Sequence, residues 1–186
     1  LRGPGRPLLA SVLGRDAKHD LALLKVEGAT PMPALFRSAD APVEKDEPVL
    51  VIGYPGEAAA SGQAVVREAT IVSPTGPQGE KTWLQLSDSV EQGNSGGPLL
   101  DAAGNVVGVI VAKAVIYTYL NSAPLEGTYS QSGVAIALPV VEDFLKLYRV
   151  PYRFARSNAP LPPDQAVRKA QPFIVNVRCE TPTEVR

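Results

Sequence analysis

Apolar residues in this chain come in short runs divided by turn-forming residues. Residues 7–13 (PLLASVL) and 21–26 (LALLKV) flank the polar stretch from Gly14 to Asp20, which predicts two strands around a turn. Both runs are too short for helices. A proline-rich stretch from Thr30 to Pro48 separates them from further runs at 49–52, 63–73, 82–86, 98–100, 106–112 and 133–138. Turn signals stand between these runs: Gly53-Tyr54-Pro55-Gly56, Ser73-Pro74-Thr75-Gly76-Pro77 and Asp101-Ala102-Ala103-Gly104-Asn105. Strands at this spacing predict an all-β sandwich or barrel. One helix is expected over 139–149. Pro139 stands in its first turn, and Val140, Val141, Phe144, Leu145 and Tyr148 recur on one face. Glu142 and Asp143 near its start and Lys146 and Arg149 near its end suit the helix dipole, and Val150-Pro151 ends it. Ser157 to Pro163 reads as a linker, and Phe173 to Val177 as a last strand on an exposed edge.

Composition narrows the picture. At 186 residues and 45% hydrophobic content the chain can bury a core of its own, as one domain or a little more. Eighteen Pro and sixteen Gly agree with strands and turns and argue against a helical bundle. The 18 basic and 19 acidic residues are interspersed, so no basic stripe is available for phosphates and nucleic acid is excluded as an expected partner. A single cysteine, Cys179, rules out an internal disulfide framework, and no zinc-like spacing is present. No apolar run reaches the roughly 18 residues of a membrane span. The opening residues, Leu1 to Gly5, read as a loop and not as a signal peptide, so the chain is expected to begin inside a longer one.

The strongest chemical signal is Gln92-Gly93-Asn94-Ser95-Gly96-Gly97-Pro98, set directly before an apolar strand. Acyl transfer needs a serine hydroxyl standing clear of its backbone and N–H groups converging where a carbonyl oxygen becomes negative. Gly93 permits close approach and unusual dihedrals there, while Gly96 and Gly97 keep side chains away. This segment resembles the nucleophile loop of trypsin-like serine peptidases, and Asn94 before the serine resembles the HtrA/Deg branch. Asp20, in His19-Asp20-Leu21-Ala22-Leu23-Leu24-Lys25-Val26, resembles the family's triad aspartate at the head of a strand. Val49 to Pro55, Gly62 to Ser73 and Ser132 to Pro139 follow in family order.

The resemblance implies a chymotrypsin-like double β-barrel and a serine endopeptidase without metal or cofactor. Residues 1–150 would form the peptidase domain: a partial first barrel over about 1–40, a second barrel over about 48–138 and the helix. Residues 151–186 would form the linker and an extended tail. Ser95 would be the nucleophile, the backbone N–H groups of Gly93 and Ser95 the oxyanion hole, and Asp20 the orienting carboxylate. Ser89, six positions before the nucleophile, stands where basic-specific trypsins carry aspartate, so cleavage after Lys or Arg is not expected. Val111, Ala112, Lys113, Gly133 and Val134 would wall the substrate site and pair with an extended peptide. The long insert Ala114 to Gln131 is read either as cleft lining or as a surface loop.

One family residue is missing. The sole histidine, His19, adjoins Asp20, and neighbours in an extended segment point to opposite faces, so His19 is not expected to be the base. The base is expected upstream of Leu1, which leaves this chain inactive alone. The partners expected are a peptide or unfolded-protein substrate, and a homo-oligomer is compatible with the reading. Only 38 residues follow Tyr148, too few for the PDZ domain common in HtrA proteins. The resemblance implies an extracytoplasmic location. The rival reading is a non-catalytic peptide-binding pseudo-peptidase; a purely structural β domain would require the serine loop to be coincidence.

Overall fold

The computed structural model describes residues 7–28, 32–76, 79–87, 90–120 and 123–179, and over 112–132 the backbone alone. Six strands close into a barrel: β4 (Pro48–Gly53), β5 (Val65–Ser73), β6 (Trp83–Leu86), β7 (Pro98–Asp101), β8 (Val106–Leu120) and β9 (Ala123–Ala137). They pair in the order β8-β7-β4-β5-β6-β9, and β8 pairs with β9 to close the ring. Ahead of them, β1 (Ala10–Asp16) and β2 (Leu21–Val26) form a separate antiparallel hairpin. Two short strands, β3 (Leu35–Phe36) and β10 (Arg153–Phe154), attach to the barrel in parallel with β8. The all-β expectation and the chymotrypsin-like architecture are those observed.

The barrel closes because its strands fill two cores at once. Val49 and Val51 of β4 join residues from every barrel strand, including Ile71, Leu84, Leu99, Ile110 and Ala135, in one buried cluster. Leu50 and Ile52, pointing the other way, join a second cluster with Leu100, Ile136 and the helices outside the barrel. Alternate residues of a strand face opposite sides, so a strand covered on both faces reads as an unbroken apolar run. That is the pattern of Val49 to Ile52.

A one-turn helix, α1 (Ala58–Ser61), follows β4, and α2 (Leu138–Leu147) and α3 (Pro163–Ala170) cover the outer face. In α2 the predicted Val141 and Phe144 are buried, together with Leu138 one residue before the predicted start, while Val140, Leu145 and Tyr148 pack partly buried against the same cluster. The helix stops two residues before the predicted Arg149, which takes a left-handed φ of 55° as the chain turns away.

Three elements differ from the sequence expectation. Of the insert Ala114 to Gln131, residues 114–120 and 123–131 continue β8 and β9 as paired strands, with Tyr117 opposite Tyr129, because its tyrosines and β-branched residues favour strand. Residues 163–170, starting at the last residue of the predicted linker, form α3. Its packing face is made of Ala166 and Ala170, both fully buried, and alanines leave little apolar signal to read. Phe173 to Val177 is not a strand: Gln171–Phe173 is a 3₁₀ turn, and only Asn176 is bridged.

The tail is fixed to the barrel by a polar network. Asp101 Oδ1 accepts from the N–H groups of Ala103 and Asn105, which shapes the β7–β8 turn as predicted. Asn105, fully buried, donates to Asp101 Oδ2, Ser157 O and Asn158 Oδ1. Lys169 of α3 donates to Ala103 O at 2.8 Å and to Asn105 Oδ1 at 2.7 Å. A buried polar group is stable only when its partners are present, and here the turn and the tail supply them to each other.

Candidate active site

The loop from Glu91 to Pro98 is tied to the barrel on both sides. Gly96 N–H donates to Ile110 O at 2.7 Å, Ile110 N–H returns to Gly97 O at 2.9 Å, and Tyr54 N–H donates to Gly93 O at 3.0 Å. Within the loop, Asn94 N–H donates to Glu91 O and Gly97 N–H to Asn94 O. Among the described residues, the N–H groups of Gly93 and Ser95 donate to no backbone carbonyl. The N–H groups of Asn94, Gly96 and Gly97 are thus committed to structure, while those of Gly93 and Ser95, which an oxyanion hole would need, are not.

The glycines of the loop do different work. Gly93 has φ 103°, and a Cβ there would lie 2.4 Å from Tyr54 O, so both its dihedral and its surroundings exclude a side chain. Gly97 likewise faces Ile52 O at 2.4 Å. Gly96, with φ 79°, has open space around it. Asn94 is buried with its Oδ1 against Gly53, and its Nδ2 has no hydrogen-bond partner among the described residues. Ser95 itself is exposed.

Asp20 ends the β1–β2 turn with a left-handed φ of 54°, directly before β2, and is also exposed. Although 75 positions apart in the chain, Asp20 and Ser95 line one cavity of about 650 Å³, with Gly93 beside them. His19 does not join them. Its Nδ1 lies 2.6 Å from Asp16 Oδ2, and it borders a different hollow with Lys18, Thr82 and Trp83. The hydrogen bond from His19 holds the Asp16 carboxyl below the usual carboxylate range.

The fold has counterparts in known proteins. A family model described as the trypsin-like peptidase domain matches residues 2–109. This chain belongs to the trypsin-like peptidases. Serine protease Rv3671c of Mycobacterium tuberculosis is 34% identical over 59% of this trypsin-like chain and 29% of its own length. Serine endoprotease DegS of Escherichia coli K12 is 33% identical over 56% of the chain and 30% of its own length. A protein of Sinorhizobium fredii described only as uncharacterized protein y4bJ is 30% identical over 97% of the chain. Among solved structures, the Rv3671c protease in its inactive form superposes with a TM-score of 0.59 at 28% identity, over 78% of this chain and 69% of that one. The HtrA-type protease AlgW with decapeptide gives 0.56 at 25%, over 76% and 41%. The chain spans under a third of the length of the first curated relatives it matches.

In this trypsin-like domain the expected substrate segments lie side by side in the barrel wall, Ala112 opposite Val134 and Lys113 opposite Gly133. Among the described side chains, Val111, Gly133 and Val134 do not line the Ser95 cavity. Gly133 and Val134 also pair with Leu86 and Gln85 of β6, so both of their edges are taken and no peptide strand can be added there. Ala112 and Lys113, just beyond the Ile110 that anchors the serine loop, pair on one side only among the described residues, and Val111 stands at the register shift between Ile110 and Ala112. Ser89 lies outside the described residues. Sequence reading missed two parts of the cavity. Tyr54, whose hydroxyl is pushed up by burial, was legible only as a turn residue. The segment Phe173 to Arg178 carried no motif at all.

Proposed function

We propose that the chain is the nucleophile-bearing part of a serine endopeptidase that cleaves peptide bonds through an acyl-enzyme on Ser95. The carrying observation is that Asp20, Gly93 and Ser95 line a single cavity while the loop leaves the Gly93 and Ser95 N–H groups uncommitted. Ser95 Oγ attacks the scissile carbonyl and gives its proton to an imidazole; the two N–H groups receive the developing oxyanion. The leaving amine takes the proton back, and water then releases the acyl group. Asp20 accepts the other imidazole N–H and fixes the tautomer. The imidazole belongs to a histidine outside these 186 residues, because His19 is engaged by Asp16 and borders another hollow.

Without that base, turnover by the chain alone falls by on the order of a million-fold. Substrates are extended peptides or unfolded proteins, which add as a strand to the open edge of Val111 to Lys113; the AlgW relative is described with a decapeptide. Ser89 disfavours basic residues at the cleavage point. A relative named as a probable periplasmic DegP-like endoprotease supports an extracytoplasmic location.

The engagement of the sole histidine also gives substance to a second reading, a peptide-binding pseudo-peptidase. Labelling of the full-length gene product with a fluorophosphonate, beside Ser95→Ala, separates the two, because covalent capture requires an activated serine. Labelling lost in Ser95→Ala is the expected result. A folded protein that takes no label would overturn the peptidase and leave the binder.

A further inference from the structure

One side of the Ser95 cavity is formed by residues that lie beyond both the barrel and α2. Six consecutive residues, Phe173 to Arg178, line it together with Asp20 and Ser95. They are held from behind. Ile174 is part of the core cluster outside the barrel, and Asn176, 5% exposed, donates from Nδ2 to Ala59 O at 3.0 Å. The Arg178 guanidinium reaches the same carbonyl. Upstream, the fully buried Ala166 and Ala170 and the Lys169 hydrogen bonds fix α3 to the barrel.

Burial along the segment alternates. Ile174 and Asn176 are buried, whereas Val175 and Val177 are 44% and 56% exposed. This is the period of an extended chain with one side against the protein, and it leaves two β-branched apolar side chains accessible at a cavity wall. The anchoring of Ile174 and Asn176 marks a fixed wall, since a displaceable plug would not share the main core. Leu23, Val141, Phe144 and Leu145 add further apolar lining, and the volume of about 650 Å³ falls within the range of ligand sites.

From this arrangement we infer that Val175 and Val177 are specificity-determining residues, forming an apolar wall that selects an apolar side chain on a peptide held at Ser95. The inference rests on the reading of Ser95 as the site of peptide binding, and it adds the C-terminal segment to the determinants of substrate choice. Selection by such a wall is worth on the order of tenfold.

The test is fluorescence anisotropy on the whole 186-residue chain with fluorescein-labelled nonapeptides of Ala and Ser carrying a central Val, Lys or Asp. The native chain binds the Val peptide on the order of tenfold more tightly than the Lys peptide. Val175→Asp with Val177→Asp reverses that order in favour of Lys, a change that partial unfolding cannot produce. The near-isosteric Val175→Thr with Val177→Thr narrows the preference at an unchanged melting temperature. A Val preference untouched in both variants would overturn the wall alone, provided Ser95→Trp, which fills the cavity, abolishes binding. Binding that survives Ser95→Trp would overturn the Ser95 reading and the wall with it, as would a native chain that binds none of the peptides.

Discussion

His19 Nδ1 meets Asp16 Oδ2 at 2.6 Å, three residues back across the β1–β2 turn, and not the Asp20 that adjoins it in sequence. The pair closes the turn that carries Asp20 to the cavity, with the Asp16 carboxylate also accepting the N–H groups of Lys18 and His19. Asp16 has its folded-state pKa lowered, first by the His19 hydrogen bond. A lowered carboxylate pKa means stabilisation that is present above the unfolded value and is lost as pH falls through the folded one. Asp16→Asn should therefore melt below the native chain near neutral pH, and the gap should close as pH drops below about 4. A gap unchanged down to about pH 2.5 would show that the charge of Asp16 is not what holds the turn.

Gly93 and Gly96 both have positive φ but differ in what surrounds them, and this separates dihedral strain from steric exclusion. Gly96→Ala meets open space, so it should cost only the strain of an L-residue in that region, about 1–2 kcal/mol. Gly93→Ala drives a methyl group to 2.4 Å from the Tyr54 carbonyl and must shift one of the two loops. It should be the more destabilising of the two by urea denaturation, and in the full-length protein it should also abolish fluorophosphonate labelling. Equal effects of the two substitutions would mean that the Tyr54 contact does not restrain the loop.

Asn105 is the hub between the β7–β8 turn and the tail. Asn105→Leu keeps the approximate volume but leaves the Asp101 carboxylate, the Lys169 ammonium and two carbonyl oxygens short of partners. Buried groups stripped of partners lose more than the hydrogen bond is worth, so a loss of about 3 kcal/mol is expected, read as a lower denaturant midpoint at constant slope. Proteolysis should also cut the region after Ser157 earlier in this variant, because Lys169 and the Ser157 carbonyl lose their common anchor. Native-like resistance with the full loss of stability would place the damage in the turn alone.

The barrel was legible because its signals are local. The Val49 to Ile52 run and the Asp101 to Asn105 turn each owe their conformation to residues within a few positions. The serine loop was legible for the same reason, since glycines flanking a serine announce the backbone it needs. The continuation of β8 and β9 was not, because Ala114 to Gln131 mixes strand formers with Pro124 and Gly127. Nor was α3, whose contact face is two alanines. The place of Phe173 to Arg178 beside Ser95 is a tertiary fact: Ile174 and Asn176 are held by residues more than a hundred positions earlier, Ile52 and Ala59 among them. The edge status of Gly133 and Val134 is equally non-local, since it depends on β6 arriving from the far side of the ring.

Strand β4 has no wet side. Valines 49 and 51 fill the interior of the barrel, while Leu50 and Ile52 back the region that holds the Ser95 cavity and the tail. Sliding the strand by one position would exchange two oily sets for each other, so water-avoidance cannot choose between the alignments. Size must do so: the slimmer pair fits within the ring and the bulkier pair outside it, with Gly53 closing the choice at the far end, where the Asn94 backbone leaves no room for a side chain. The position of the serine loop is thereby tied to the difference of a single methylene between valine and its larger relatives.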